Sequence, residues 1–173
     1  VLGEIESIDA YKNGRKQLVF ATGTSVYFVD RNGKDVNAYP VRFKDPVTQP
    51  LSVFDYDSKR DYRFLVTQGK ELIMLDIDGK TVHGFTYKKA ASITTQPRHF
   101  RVGIKDYIAF AKTDHSIALL SRTGGIRTKV KDKPKLNTEL FFHKNQAIAF
   151  TKEGKLMQLD LVKGNINYTG SYR

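Results

Sequence analysis

An all-β fold made of four repeated, antiparallel four-stranded sheets is what this sequence predicts, on three observations. Short apolar runs rich in Val, Ile, Phe and Tyr recur along the chain. A turn holding Gly, Asp or Lys bounds each run, and a hairpin of two runs occurs four times, closing at Gly33, Gly79, Gly124 and Gly164. Those glycines stand 46, 45 and 40 residues apart. Runs of five to seven residues between glycine turns have strand length, and no helical period of useful length competes with them.

The first repeat, about 5–46, holds LVFATGTSVYFVDRNGK from Leu18 to Lys34, followed by the candidate strand KDVNAYPVRF. The second, about 50–91, opens on PLSVFDYD, continues as RFLVTQGKELIMLDIDGK from Arg63 to Lys80, and closes on KTVHGFTY. The third, about 96–135, carries IAFAKTDHSIALLSRTGG from Ile108 to Gly125. The fourth, about 137–173, opens on TELFFHK and carries IAFTKEGKLMQLDLVKGN from Ile148 to Asn165. Placed under one another, the hairpins put Phe20, Leu65, Phe110 and Phe150 at equivalent, buried positions. Successive apolar residues, as in RFLV and IALL, point to sheets buried on both faces.

Four antiparallel strands repeated every 40 to 46 residues resemble the blades of the β-propeller superfamily, in the manner of tryptophan-aspartate or quinoprotein repeats. The likeness covers nearly the whole chain and is one of architecture. There is no tryptophan, no Gly-His or Trp-Asp dipeptide, and no Ala-x-Asp-x-x-Thr-Gly signature. The chain is also similar to the propeller-like C-terminal segments of large uncharacterised envelope proteins of Bacteroidota. That likeness implies the periplasmic side of an envelope rather than the cytoplasm. Closed propellers have about four to eight blades. The expectation is therefore a single domain, 1–173, that is a piece of a larger or oligomer-completed ring. Its two outer blade faces would be uncovered and able to join as a homodimer. The start at Val1 and the end at GSYR fit a segment of a longer chain.

With 40% hydrophobic and 12% aromatic residues the chain can bury a sizeable core. No cysteine is present, so disulfides and zinc-thiolate sites are excluded. No apolar stretch is long enough for a transmembrane helix. The 29 basic residues against 18 acidic ones give a net charge of +11, which draws polyanions such as nucleic acid, anionic lipid headgroups or acidic polysaccharide.

Motifs for chemistry read as structure. Asp76 and Asp78 have a calcium-like spacing, but the aligned turns replace them by Asp30 and Asn32, Ser121 and Thr123, and Asp160 and Val162. Glycine alone is constant, as a tight turn requires. Asp55, Asp57 and Asp61 have Lys59 and Arg60 among them, which would repel a cation. His83, His99, His115 and His143 lie far apart. Neither a nucleophile motif nor a phosphate loop is present, so no catalytic residue, metal or cofactor is expected.

The remaining signal is basic. Arg122, Arg127, Lys129, Lys131, Lys133 and Lys135 stand close together, and the alternation of Arg127, Lys129 and Lys131 predicts a ridge on one face of a strand. Lysines there also serve to keep an outer strand from pairing with another chain. Lys88, Lys89 and Arg98 lie on the loop 86–100, and Lys133 and Lys135 on the loop 131–137; with the loop 42–50 these join successive blades. Few aromatics are interleaved for base stacking, so a protein partner, or another part of the parent chain, is favoured over nucleic acid. The expected function is a non-catalytic scaffold module. Its alternatives are a polyanion-binding domain using the ridge and an incomplete piece of a propeller enzyme.

Overall fold

A residue in the left-handed region closes each of the four repeated turns. Gly33, Gly79, Gly124 and Gly164 have φ of +77°, +78°, +86° and +77°, a region that costs glycine no Cβ clash. In three of the turns the leading aspartate orders the backbone. Asp30 Oδ1 accepts the N–H groups of Asn32 and Lys34, Asp76 Oδ1 those of Asp78 and Lys80, and Asp160 Oδ1 those of Val162 and Lys163. The acid spacing at Asp76 and Asp78 is thus used by the turn. Asp55 does similar work in its own loop, accepting from Lys59 and Arg60.

The computed structural model describes every residue except Lys89, Tyr172 and Arg173, together with the side chain of Ser171. All regular structure in it is β. Two compact units divide the chain between Phe85 and Thr86. The first holds β1 (Leu2–Ile8), β2 (Gln17–Ala21), β3 (Ser25–Val29) and β4 (Val41–Arg42) as one antiparallel sheet, in that order. Its second sheet is β5 (Ser52–Phe54), β6 (Arg63–Gln68) and β7 (Glu71–Leu75). The second unit has β8 (Arg98–Val102), β9 (Lys105–Ala111), β10 (Ile117–Leu120) and β11 (Ile126–Thr128) in one sheet. Its other sheet is β12 (Phe141–His143), β13 (Gln146–Phe150), β14 (Lys155–Asp160) and β15 (Ile166–Ser171).

The strand expected from KTVHGFTY is reduced to a single bridge between Leu75 and Thr81. Gly84, at φ +85°, turns the chain off the sheet directly afterwards. KDVNAYPVRF likewise yields only a bridge from Asp35 to Val29 and the two-residue β4, because Asn37 adopts φ +53° and Pro40 has no N–H to offer a neighbour.

Strand register corrects the repeat alignment. The residue before each turn, Val29, Leu75, Leu120 or Leu159, pairs with Leu18, Phe64, Ile108 or Ala147. The true equivalents of Phe20 are therefore Val66, Phe110 and Ala149, not Leu65 and Phe150. The inner hairpin connections hold four, two, five and five residues beyond the last pair, and a one-residue slip moves a side chain to the other face.

With the register corrected, both units obey one rule. In the first, Val19, Ala21, Val26 and Phe28 of the earlier sheet pack against Phe64, Val66 and Leu75 of the later one. In the second, Ala109, Ala111, Ile117 and Leu119 pack against Ala147, Ala149, Met157 and Leu159. The earlier sheet always presents the face of Val19 and its equivalents, here the forward face. The later sheet presents the face of Phe64 and its equivalents, the rear face.

Candidate protein-binding groove and its basic rim

The groove lies within the second unit and has a volume of about 770 Å³. Its formation begins at the turn that ends β10. A Cβ on Gly124 would stand 2.2 Å from the Thr86 carbonyl oxygen, so only glycine lets residue 86 lie across this turn. The Thr86 N–H then donates to the Thr123 carbonyl at 2.8 Å. Next to it the Tyr87 ring meets the edge of Phe110, centroids 5.6 Å apart. The strap so fixed forms one wall, while Ile126 of β11, with the half-buried Ala118 of β10 and Val130, supplies the accessible apolar surface, and Ile117, Leu119 and Leu120 lie buried behind it. Ile126 is 71% exposed, an unusual position for a large aliphatic side chain beside arginine and lysine.

Cations border this surface. Lys88, Lys112, Lys129 and Lys131 all contribute to the lining. Nearby, Asp114 is held below the ordinary carboxylate range, first by the Ser116 hydroxyl, against the opposing effect of burial, and further by Lys112 and Lys133. The Tyr87 hydroxyl is pushed up by burial and by the Asp114 charge, and so stays a protonated donor. Its oxygen is buried with no hydrogen-bond partner among the described residues.

The predicted basic residues separate into several roles. Lys88, Lys129 and Lys131 come together at the groove, which also joins the loops 86–100 and 131–137. Lys89 lies outside the described residues. Arg122 is bound to the buried carboxylate of Asp106, which also meets His99 Nε2 at 2.7 Å and Arg101 Nη1 at 3.6 Å, and so belongs to the folding of its sheet. Arg127 lies over the Tyr107 ring at 5.6 Å and Arg98 over the Phe141 ring at 5.4 Å. Lys133 pairs with Asp114 at 3.6 Å, and the Lys135 carbonyl accepts the Lys152 N–H at 2.8 Å.

No continuous strand ridge exists, because β11 ends at Thr128. Beyond it the backbone leaves β10 to lie on the next sheet's turn, with Lys129 O 2.2 Å from where a Gly164 Cβ would stand. The sequence by itself does not mark out the apolar half of the groove. Its one visible signal was Ile126, a lone aliphatic between Gly125 and Arg127.

A second cavity of about 500 Å³ in the same unit is bordered by Thr95, His115 and Glu139. Burial is the largest influence on the Glu139 carboxyl and lifts it, although the N–H of Gln96, 3.0 Å away, works against this.

No protein-family model matches the chain, and no curated protein matches it. Solved structures do. BBS1N, crystallised in complex with ARL6DN, superposes with a TM-score of 0.71 at 12% identity, over 97% of this chain and 57% of that one. The computationally designed Ika8 protein gives 0.63 at 12% identity, over 97% and 48%. BamB from Moraxella catarrhalis gives 0.57 at 15%, over 92% and 50%. The chain spans about half the length of these structures. BBS1N and BamB are β-propellers, and with its four antiparallel sheets this chain folds as β-propeller blades.

Proposed function

We propose that this blade module is non-catalytic and captures an acidic, partly apolar segment of a protein partner in the groove of its second unit. The observation that carries the reading is the pairing of an exposed aliphatic surface, centred on Ile126, with Lys88, Lys112, Lys129 and Lys131 around it. An extended segment with apolar side chains on one side and carboxylates on the other is complementary to both parts. Desolvation of the aliphatic surface supplies affinity, and the lysines chiefly set encounter rate and orientation. The fold neighbour BBS1N was crystallised with ARL6DN, which supports reading blades of this kind as a surface for other proteins.

The test is fluorescence anisotropy with a labelled peptide alternating Glu with Leu or Phe, beside a Gly-Glu peptide of equal charge and a heparin fragment. The apolar acidic peptide should bind best. Ile126→Asp, and Lys129→Glu with Lys131→Glu, should each weaken it about tenfold. Equal binding of all three probes, lost with the lysines and indifferent to Ile126→Asp, would replace this function by polyanion binding.

A further inference from the structure

We propose that the first blade is a receptor for the fourth blade of a second copy of this chain, joined head to tail. Three turns carry a segment from the preceding blade. On the turn of Gly79, Tyr39 Oη donates to the Asp76 carbonyl at 2.7 Å and Asn37 Nδ2 to the Ile77 carbonyl at 2.8 Å. On that of Gly124 lies Thr86. On that of Gly164, Thr128 Oγ1 donates to the Leu161 carbonyl at 2.9 Å. Gly33 closes the same turn at the same φ, yet a Cβ built on it meets nothing within 4 Å.

The sheet beneath that turn is equally unfinished. Its rear face presents Leu18, Phe20, Tyr27 and Val29, with Phe20 and Tyr27 stacked at 5.2 Å. Leu18 is 38% exposed, whereas the equivalent Phe64, Ile108 and Ala147 are fully buried. By the packing rule of both units, a rear face takes a forward face. The fourth sheet offers one in Ile148, Phe150 and Leu156, all half-buried and none of them part of its unit's core. One copy therefore carries both halves of the joint, on different surfaces. The contact is heterologous, and neither surface matches itself.

Light scattering across a protein concentration series, with Leu18→Glu and Ile148→Glu, tests this. The unaltered chain should associate, and each variant alone should associate at least about tenfold more weakly. An equimolar mixture should regain a two-chain species, because each variant keeps the half that the other has lost; this recovery also shows that both fold. On the unaltered chain, amides of Asp30 to Gly33 should gain hydrogen-exchange protection as concentration rises. A strict monomer at every concentration overturns the proposal. So does association abolished by Leu18→Glu and untouched by Ile148→Glu, which would mark a self-matching contact between two first blades.

Discussion

Tyr39 donates its hydroxyl to the backbone carbonyl of Asp76 at 2.7 Å, so that a residue from the end of one blade secures the turn of the next. Burial first, and the carboxylates of Asp76 and Asp78 after it, push the Tyr39 hydroxyl well above its ordinary range, and it remains a donor at any physiological pH. Its ring forms an edge-to-face triad with Phe28 and Phe64, at centroid distances of 5.5 to 5.9 Å. The hydrogen bond and the ring can be tested apart. Tyr39→Phe should cost about 0.5–1.5 kcal/mol, since Asp76 O still accepts from Gly79 N. Phe64→Ala, at a fully buried site, should cost about 3–5 kcal/mol. Urea unfolding followed by circular dichroism measures both, and equal losses would show that the triad is not a packed core.

The turn glycines should rank by what lies on them. Gly33→Ala meets only the left-handed φ and should cost about 1–2 kcal/mol. Gly124→Ala and Gly164→Ala must also displace a backbone oxygen 2.2 Å from the new Cβ. Their loss should be at least twice as large, with exchange protection falling at Thr86 and Lys129. A common cost for all three would contradict the seating of these segments.

Acid titration should separate two carboxylates of opposite behaviour. Burial works to raise Asp9, but the N–H groups of Gly14 and Asn13 and the Arg60 guanidinium outweigh it and hold the group below its ordinary 3.8. Its stabilisation is complete above that value and disappears as pH falls through the lower folded value. Glu139 is raised above its ordinary 4.5, so the cost of its charge is full above the folded value and is relieved as pH drops through it. Asp9→Asn should therefore destabilise the protein at neutral pH and flatten the acid loss, while Glu139→Gln should not destabilise at neutral pH. Denaturant midpoints between pH 2 and 7 decide, and like signs for the two variants would refute the assignment.

Arg122 and Lys129 should part company under alanine substitution. Arg122→Ala deprives the buried Asp106 of a charged partner and should cost about 1–3 kcal/mol. Lys129→Ala, at an exposed position on the groove, should stay within about 0.5 kcal/mol of the original in thermal unfolding. Its effect should appear in peptide binding instead.

Read alone, the residues were enough for the hairpins, their glycines and the fourfold repeat. These are local properties: strand period, turn length and the left-handed φ are written within a few neighbouring positions. Asp76 could be assigned to its turn for the same reason. The face each side chain occupies was not legible, because inner connections of two to five residues shift the phase. Leu65 and Phe150 lie on the face opposite to that of Phe20 for that cause. Charge showed that a basic surface exists without showing which cations are free to act. Arg122 and Lys129 look alike seven residues apart, yet one is bound to a buried aspartate and the other borders an apolar groove. Contacts between residues far apart in the chain made that distinction, and a groove formed by residues 86 to 131 exists once the strap lies across Gly124.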